Sequence, residues 1–96
     1  MRQAFILTIR PGMEERYRET HRAVWPELIV EASRAGIRNH SSFVNGRTVF
    51  VYVEADNIDE ANEKLMQVPI KLRWNKFMED ILEPGSTPLE EVFHMD

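Results

Sequence analysis

The chain has no cysteine, no long apolar run and no excess of basic residues. The absence of cysteine excludes disulfides, thiolate nucleophiles and cysteine-based metal sites. The longest early apolar run, residues 4–9, is too short for a transmembrane span or a signal-peptide core. A net charge of -4, from 16 acidic and 12 basic residues, argues against nucleic acid or an anionic membrane as the main ligand. We therefore expect a cytoplasmic protein with a small-molecule ligand.

Length limits how the chain can be organised. Its 96 residues make a single domain, 1–96, which is large enough for a hydrophobic core. A domain of this size leaves much of its apolar surface exposed as a monomer. Size alone is therefore compatible with a partner subunit.

The first third of the chain carries a strand pattern followed by two helical patterns. Residues 3–10 predict a strand whose two faces are both largely apolar. After a Pro-Gly break, a helical pattern covers residues 13–24. Pro26 then favours the first turn of a second helical piece, which ends near Gly36.

Two further strands follow and form a predicted hairpin. Residues 37–44 and 47–54 predict strands, separated by Asn45 and Gly46, which favour a tight type I′ turn because both residue types tolerate positive φ. In the second of these strands, valines occupy one face and aromatic residues the other. Both faces of the predicted sheet therefore need cover.

The second half ends with two helical segments and a strand. Asn57 is a good N-cap for a helix that runs to about Gln67. An amphipathic stripe follows, and residues 89–95 predict a last short strand. The stripe consists of Ile70, Trp74, Phe77, Met78 and Ile81.

The resulting order is strand, helix, strand, strand, helix, strand. This is the split β-α-β arrangement, βαββαβ, of ferredoxin-like α+β folds. Such a sheet carries its helices on one face, so the apolar second face needs another cover. A homodimer packed sheet to sheet, a dimeric α+β barrel, is the economical solution.

The segment from Tyr17 to Glu27 carries the strongest functional signal. In a helix, Tyr17 and His21 lie on one face, within the stripe that should point at the interior. A histidine in such a stripe is most often a core residue that has found a hydrogen-bond acceptor. The tyrosine one turn away favours catalysis instead, because its hydroxyl can orient the ring or hold a substrate oxygen.

The segment 71–77 mixes basic and aromatic residues, as a nucleic-acid site can. Helical spacing separates the two kinds, with Lys71, Lys76 and Glu79 outside the apolar stripe, so we interpret them as an ordinary solvated face. The three histidines lack the close pairing of common metal motifs, and we expect no metal site. They are His21, His40 and His94.

Together these residues resemble the L-rhamnose mutarotases, small dimeric ferredoxin-like enzymes that interconvert the anomers of a deoxy sugar. The likeness covers nearly the whole chain. It rests on Tyr17 and His21 before Trp25-Pro26-Glu27, on Gly36 and Asn39, on Arg73-Trp74 with Lys76 and Met78, and on the ending Leu89-Glu90-Glu91-Val92-Phe93.

The resemblance implies site residues. The family's proton donor matches His21, and its sugar-contacting tyrosine matches Tyr17. The family also binds sugar through a tyrosine after the asparagine and through a tandem tryptophan pair. Here His40 follows Asn39, and Asn75 follows Trp74. We therefore expect Tyr17, His40, Trp74 and Asn75 to bind a monosaccharide, either L-rhamnose or a related deoxy or pentose sugar.

The chemistry of mutarotation suits these residues. A base removes the proton of the anomeric hydroxyl while an acid protonates the ring oxygen, and the two exchange roles when the ring closes. Imidazole can do either near neutral pH, and no cofactor is needed. For the second proton carrier the sequence leaves open His40, Asp80 and an ordered water.

Two other functions are compatible with the sequence. One is a different cofactor-free enzyme, such as an oxygenase, because dimeric α+β barrels carry many chemistries. The other is a non-catalytic sugar-binding or dimerisation module, in which Tyr17 and His21 only hold the helix to the sheet.

Overall fold

Four strands and four helices make up the computed structural model, which describes residues 1–96. In chain order they are β1 Arg2–Thr8, α1 Glu14–Arg22, α2 Pro26–Ala35, β2 Ile37–Asn45, β3 Thr48–Ala55, α3 Ile58–Leu65, α4 Pro69–Met78 and β4 Thr87–Leu89. The strands form one antiparallel sheet in the order β2-β3-β1-β4. This topology confirms the predicted ferredoxin-like α+β fold.

The core lies between one face of the sheet and the helices. Along β3, Val49, Val51 and Val53 are buried, whereas the residues between them are more exposed, as the strand period of two requires. Burying each such side chain contributes roughly 1.5–3 kcal/mol. Against these valines pack Ile9, Tyr17, Leu28, Ile70, Trp74, Met78 and Ile81.

The opposite face of the sheet has no helix on it. Phe43 and Phe50 are opposite each other on β2 and β3, with ring centroids 6.3 Å apart. Phe43 is 61% exposed and Phe50 37% exposed. The helices therefore cover one face only, as the sequence predicts.

Proline and glycine set the helix boundaries near the site. Pro26 occupies the first turn of α2 and leaves Trp25 extended as its N-cap, so the kink between the first two helices is confirmed. Gly36 ends α2 with a φ of 108°, which favours glycine. Asn57 caps α3 by accepting a hydrogen bond from the Glu60 amide at 3.0 Å, as predicted. None of the helices is long and apolar enough to cross a membrane.

Two local predictions are wrong. The hairpin turn is formed by Gly46 and Arg47, since Asn45 still pairs with Thr48. Gly46 has a φ of 59°, but no other residue type in the chain has positive φ, so the turn is not type I′. The last strand is also shorter and earlier than predicted, covering Thr87–Leu89 instead of 89–95.

Candidate active site

One groove brings together all five residues that the sequence nominates. It lies between the helical face of the sheet and helices α1 and α4, with residues 82–86 along one side, and its volume is about 920 Å³. A cavity of this size accommodates a monosaccharide. The five residues are Tyr17, His21, His40, Trp74 and Asn75.

Helix α1 supplies a stacked pair of rings. Tyr17 and His21 are one helical turn apart, and their ring centroids are separated by 3.8 Å with an interplanar angle of 20°. Tyr17 is 2% exposed and belongs to the hydrophobic core, whereas His21 is half-buried. The phenol therefore fixes the imidazole against the core and leaves part of it facing the groove.

Hydrogen bonds assign the tautomer of His21. Its Nδ1 lies 3.0 Å from the Tyr17 carbonyl oxygen and 3.1 Å from the Thr20 hydroxyl, which itself donates to the same carbonyl at 2.9 Å. Because a carbonyl only accepts, Nδ1 must carry a hydrogen. In the neutral ring, Nε2 then has the free lone pair and can accept a proton.

The groove favours neutral forms of both α1 side chains. Burial lowers the pKa of His21 below its ordinary value, and the hydrogen bond to the Tyr17 backbone only partly offsets this. Burial raises the pKa of Tyr17, with a smaller opposing effect from the Ser42 side chain. At neutral pH the site therefore presents an unprotonated imidazole nitrogen beside an intact phenol hydroxyl.

An irregularity in β2 decides which of its side chains enter the groove. The register shifts between Ile37 and Asn39, so Ile37 packs against the core and, one extra residue later, His40 and Ser42 also lie on the helical face. Such bulges commonly redirect side chains near active sites. Without the extra residue, His40 would point to the opposite face of the sheet.

His40 has basic groups around it. The residue as a whole is exposed to solvent, yet its ring lies among the side chains that line the groove. This desolvation lowers the pKa of His40, and repulsion from Lys71 and from His21 lowers it further. His40 is therefore a neutral hydrogen-bonding group at pH 7.

Aromatic rings form the apolar wall of the groove. Trp74 is 7% exposed and meets the His21 ring edge-on at a centroid distance of 5.4 Å. Trp25 supports it from behind at 4.9 Å, nearly perpendicular, so the tryptophan at the kink packs against the site. A flat indole face of this kind suits the C–H faces of a sugar.

Two predictions about charged residues need correction. Lys71 is predicted on a solvated face, but it lines the groove and is half-buried; Glu79 also lines the groove but is exposed, as predicted. Asp80, a candidate proton carrier, is exposed and does not line it. Lys71 is three residues before Trp74 and four before Asn75. This helical spacing places Lys71 on the same face of α4 as the two site residues, and it is the sequence feature that indicates its position in the groove.

No group of three or more His, Asp or Glu side chains is close enough together to hold a metal ion. His94 is far along the chain on an exposed segment, where it pairs with Asp96 at 2.7 Å. The polar groups that line the groove include imidazole, phenol, hydroxyl, ammonium, guanidinium and carboxylate.

Comparison with known proteins identifies the family. A family model described as L-rhamnose mutarotase matches residues 2–95. The chain belongs to the L-rhamnose mutarotase family. Among its relatives, the L-rhamnose mutarotase of Oceanobacillus iheyensis is 35% identical over 103 residues, covering 99% of this chain and 98% of that protein.

One solved structure agrees with the family assignment, and a second agrees with the fold. An L-rhamnose mutarotase from Formosa agariphila matches with a TM-score of 0.86 and 31% identity, covering 100% of this chain and 99% of that one. A dimeric ferredoxin-like protein from an uncultured marine organism has a TM-score of 0.69 at 14% identity, covering 99% of this chain and 96% of that one. The second match supports the fold alone.

Proposed function

We propose that this protein is an isomerase that interconverts the α and β anomers of L-rhamnose. The observation that carries the proposal is the imidazole of His21, whose Nδ1 is tied to a backbone carbonyl while the ring lines a sugar-sized groove. The proposal is supported by relatives named L-rhamnose mutarotase that match 99% of the chain.

The proposed roles follow from the geometry. Nε2 of His21 takes the proton of the anomeric hydroxyl when the ring opens and returns it when the ring closes. The Tyr17 hydroxyl donates a hydrogen bond to a sugar oxygen, and the Trp74 ring lies against the C–H face of the sugar. This proton transfer requires neither a metal nor an organic cofactor.

His40 and Asn75 are proposed as the residues that adjust sugar specificity. Both line the groove, where the family has larger aromatic side chains by resemblance. The Asn75 amide already contacts the Met66 sulfur at 3.7 Å, which leaves part of its hydrogen-bonding capacity for a ligand. A related deoxy or pentose sugar would be distinguished by contacts to these two side chains.

We also propose that two copies associate through the uncovered face of the sheet. The support is the exposed Phe43–Phe50 pair and the likeness to a protein named as a dimeric ferredoxin-like protein. A cytoplasmic location stays a prediction from the sequence.

The rival functions have less support. The family match favours mutarotation over other cofactor-free reactions on the same fold. A non-catalytic sugar-binding module would use Tyr17 and His21 only as structural residues. Rate measurements separate these alternatives, since such a module binds sugar without accelerating anomer exchange.

NMR exchange spectroscopy between the α and β anomers of L-rhamnose tests the proposal. Catalytic amounts of protein should accelerate exchange far above the buffer rate. A panel of other deoxy sugars and pentoses, measured in parallel, defines the preference. Acceleration of another sugar but not L-rhamnose would contradict the assigned substrate, and no acceleration of any sugar would contradict mutarotation.

The pH dependence of the exchange rate should report the protonation of the His21 imidazole. Because burial lowers the pKa of His21, the unprotonated base persists to lower pH than for an ordinary histidine, whose pKa is about 6.5. We expect kcat/KM for exchange, corrected for buffer catalysis, to decline on the acid side with a midpoint below about 6.5. An acidic decline centred above that value would contradict the assignment of His21 as the base.

A further inference from the structure

Lys71 is the one cation of helix α4 that enters the groove. With Trp74, Asn75 and Met78 it forms the face of α4 that lines the cavity, at offsets of three, four and seven residues. The residue is half-buried, whereas Lys76, on the same helix, is exposed and does not line the groove. The sequence pattern alone assigned both lysines to solvent.

The ammonium of Lys71 has no partner in the protein. It takes part in none of the ion pairs or side-chain hydrogen bonds of the chain, unlike exposed Lys64, which pairs with Glu60 at 2.8 Å. Two carboxylates line the groove: Glu83 is engaged by Arg47 at 3.3 Å, and Glu79 forms no ion pair with Lys71. A half-buried cation without a counterion costs free energy, so its location calls for a ligand or a reaction that uses it.

Mutarotation requires an acid as well as a base. The tautomer of His21 provides a base at Nε2, but a neutral imidazole held in this way has no second proton to give when the ring opens. Burial raises the pKa of the Tyr17 hydroxyl, which makes it a weaker acid. Burial lowers the pKa of Lys71, which makes its ammonium a stronger one.

We propose that Lys71 is the second proton carrier of the site and that its ammonium protonates the ring oxygen while His21 takes the anomeric proton. The inference rests on the proposed mutarotase function and adds a catalytic residue to it. Lys71 also lies close enough to His40 to influence its ionisation by charge, which places the ammonium among the basic groups of the groove.

The step balances without another reactant. On opening, the anomeric hydroxyl loses its proton to Nε2 of His21, the carbonyl double bond forms, and the bond from the anomeric carbon to the ring oxygen breaks. That oxygen takes a proton from Nζ of Lys71. After the aldehyde turns, neutral Lys71 removes the same proton as the oxygen attacks the opposite face, and His21 returns its proton to the carbonyl oxygen.

Substitutions of Lys71 distinguish proton donation by its ammonium from an effect of its positive charge alone. We expect Lys71→Met to lower kcat for L-rhamnose exchange about a hundredfold or more, the usual contribution of positioned proton transfer. Lys71→Arg should be similarly slow, because guanidinium keeps the charge but does not release a proton near neutral pH. The matched control Lys76→Met should retain wild-type kcat and KM. Circular dichroism checks that each variant folds.

Rescue by an added amine is expected if Lys71 transfers a proton, but not if its role is purely structural. Lys71→Ala, assayed with added methylammonium, should regain exchange in proportion to amine concentration, whereas His21→Ala should not. A Lys71→Met kcat within about threefold of wild type, or full activity in Lys71→Arg, would overturn the proposal. If Lys71→Met does not fold, Lys71→Arg and the rescue decide. An inactive wild type would instead refute mutarotation itself.

Discussion

Replacing His21 by alanine should lower kcat for L-rhamnose anomer exchange by about a hundred- to ten-thousandfold. The variant loses the imidazole, whose Nδ1–H donates to the Tyr17 carbonyl and whose Nε2 is left unprotonated in the groove. Folding should survive, because His21 is half-buried and its loss leaves the core position of Tyr17 filled. Exchange NMR measures the rate, and circular dichroism measures the fold.

The matched control for this experiment is His94→Ala. His94 is exposed, pairs only with Asp96 and lies outside the groove, so its removal should leave the exchange rate unchanged. If His21→Ala kept more than a third of the wild-type kcat, the imidazole would be a structural residue and the non-catalytic alternative would gain support.

The sequence identified this site through helical spacing. Residues four apart on a helix share a face, so the sequence places Tyr17 and His21 together, and the structure stacks their rings at 3.8 Å. Period-two alternation in β3 likewise predicted two apolar faces, one of which is buried under helices. Both predictions depend on local periodicity, which tertiary contacts leave intact.

Lys71 was missed because a helical stripe distinguishes only core from solvent. A residue at the border of the stripe faces solvent if the neighbouring surface is convex, but it enters a cavity where helix and sheet diverge. The groove beside α4 is such a place, so Lys71 is half-buried there. Whether helix and sheet diverge depends on contacts between distant elements, which the sequence pattern of α4 does not contain.

The last strand was misplaced for a related reason. The sequence predicts that the strand continues to residue 95, but Leu89 already pairs with Ala4, and β1 begins at Arg2. Residues beyond Glu91 thus extend past the end of the partner strand, and only a salt bridge from Arg2 to Glu91, at 2.7 Å, continues the contact. Strand propensity without a partner does not make a strand.

The uncovered apolar face of the sheet predicts a homodimer. We expect static light scattering of the wild-type protein at micromolar concentration to give a molar mass of twice the 11.3 kDa of one chain. The double variant Phe43→Asp/Phe50→Asp should be a monomer, because each copy would bring two carboxylates to the centre of an apolar interface, where burying unpaired charge is strongly unfavourable. Since Phe43 is 61% exposed in the single chain, its replacement should cost little of the chain's own folding stability.

The control carries the same kind of change on another surface. Ile29 is 57% exposed on α2, away from the uncovered face of the sheet, so Ile29→Asp should remain a dimer. If the double variant fails to fold, Phe43→Asp alone tests the same face. A wild-type monomer, or a double variant that stays dimeric, would show that the aromatic pair is not an interface. A dimer lost only in the Phe43 and Phe50 variants would instead establish that the second apolar face of the sheet is covered by another copy of the chain.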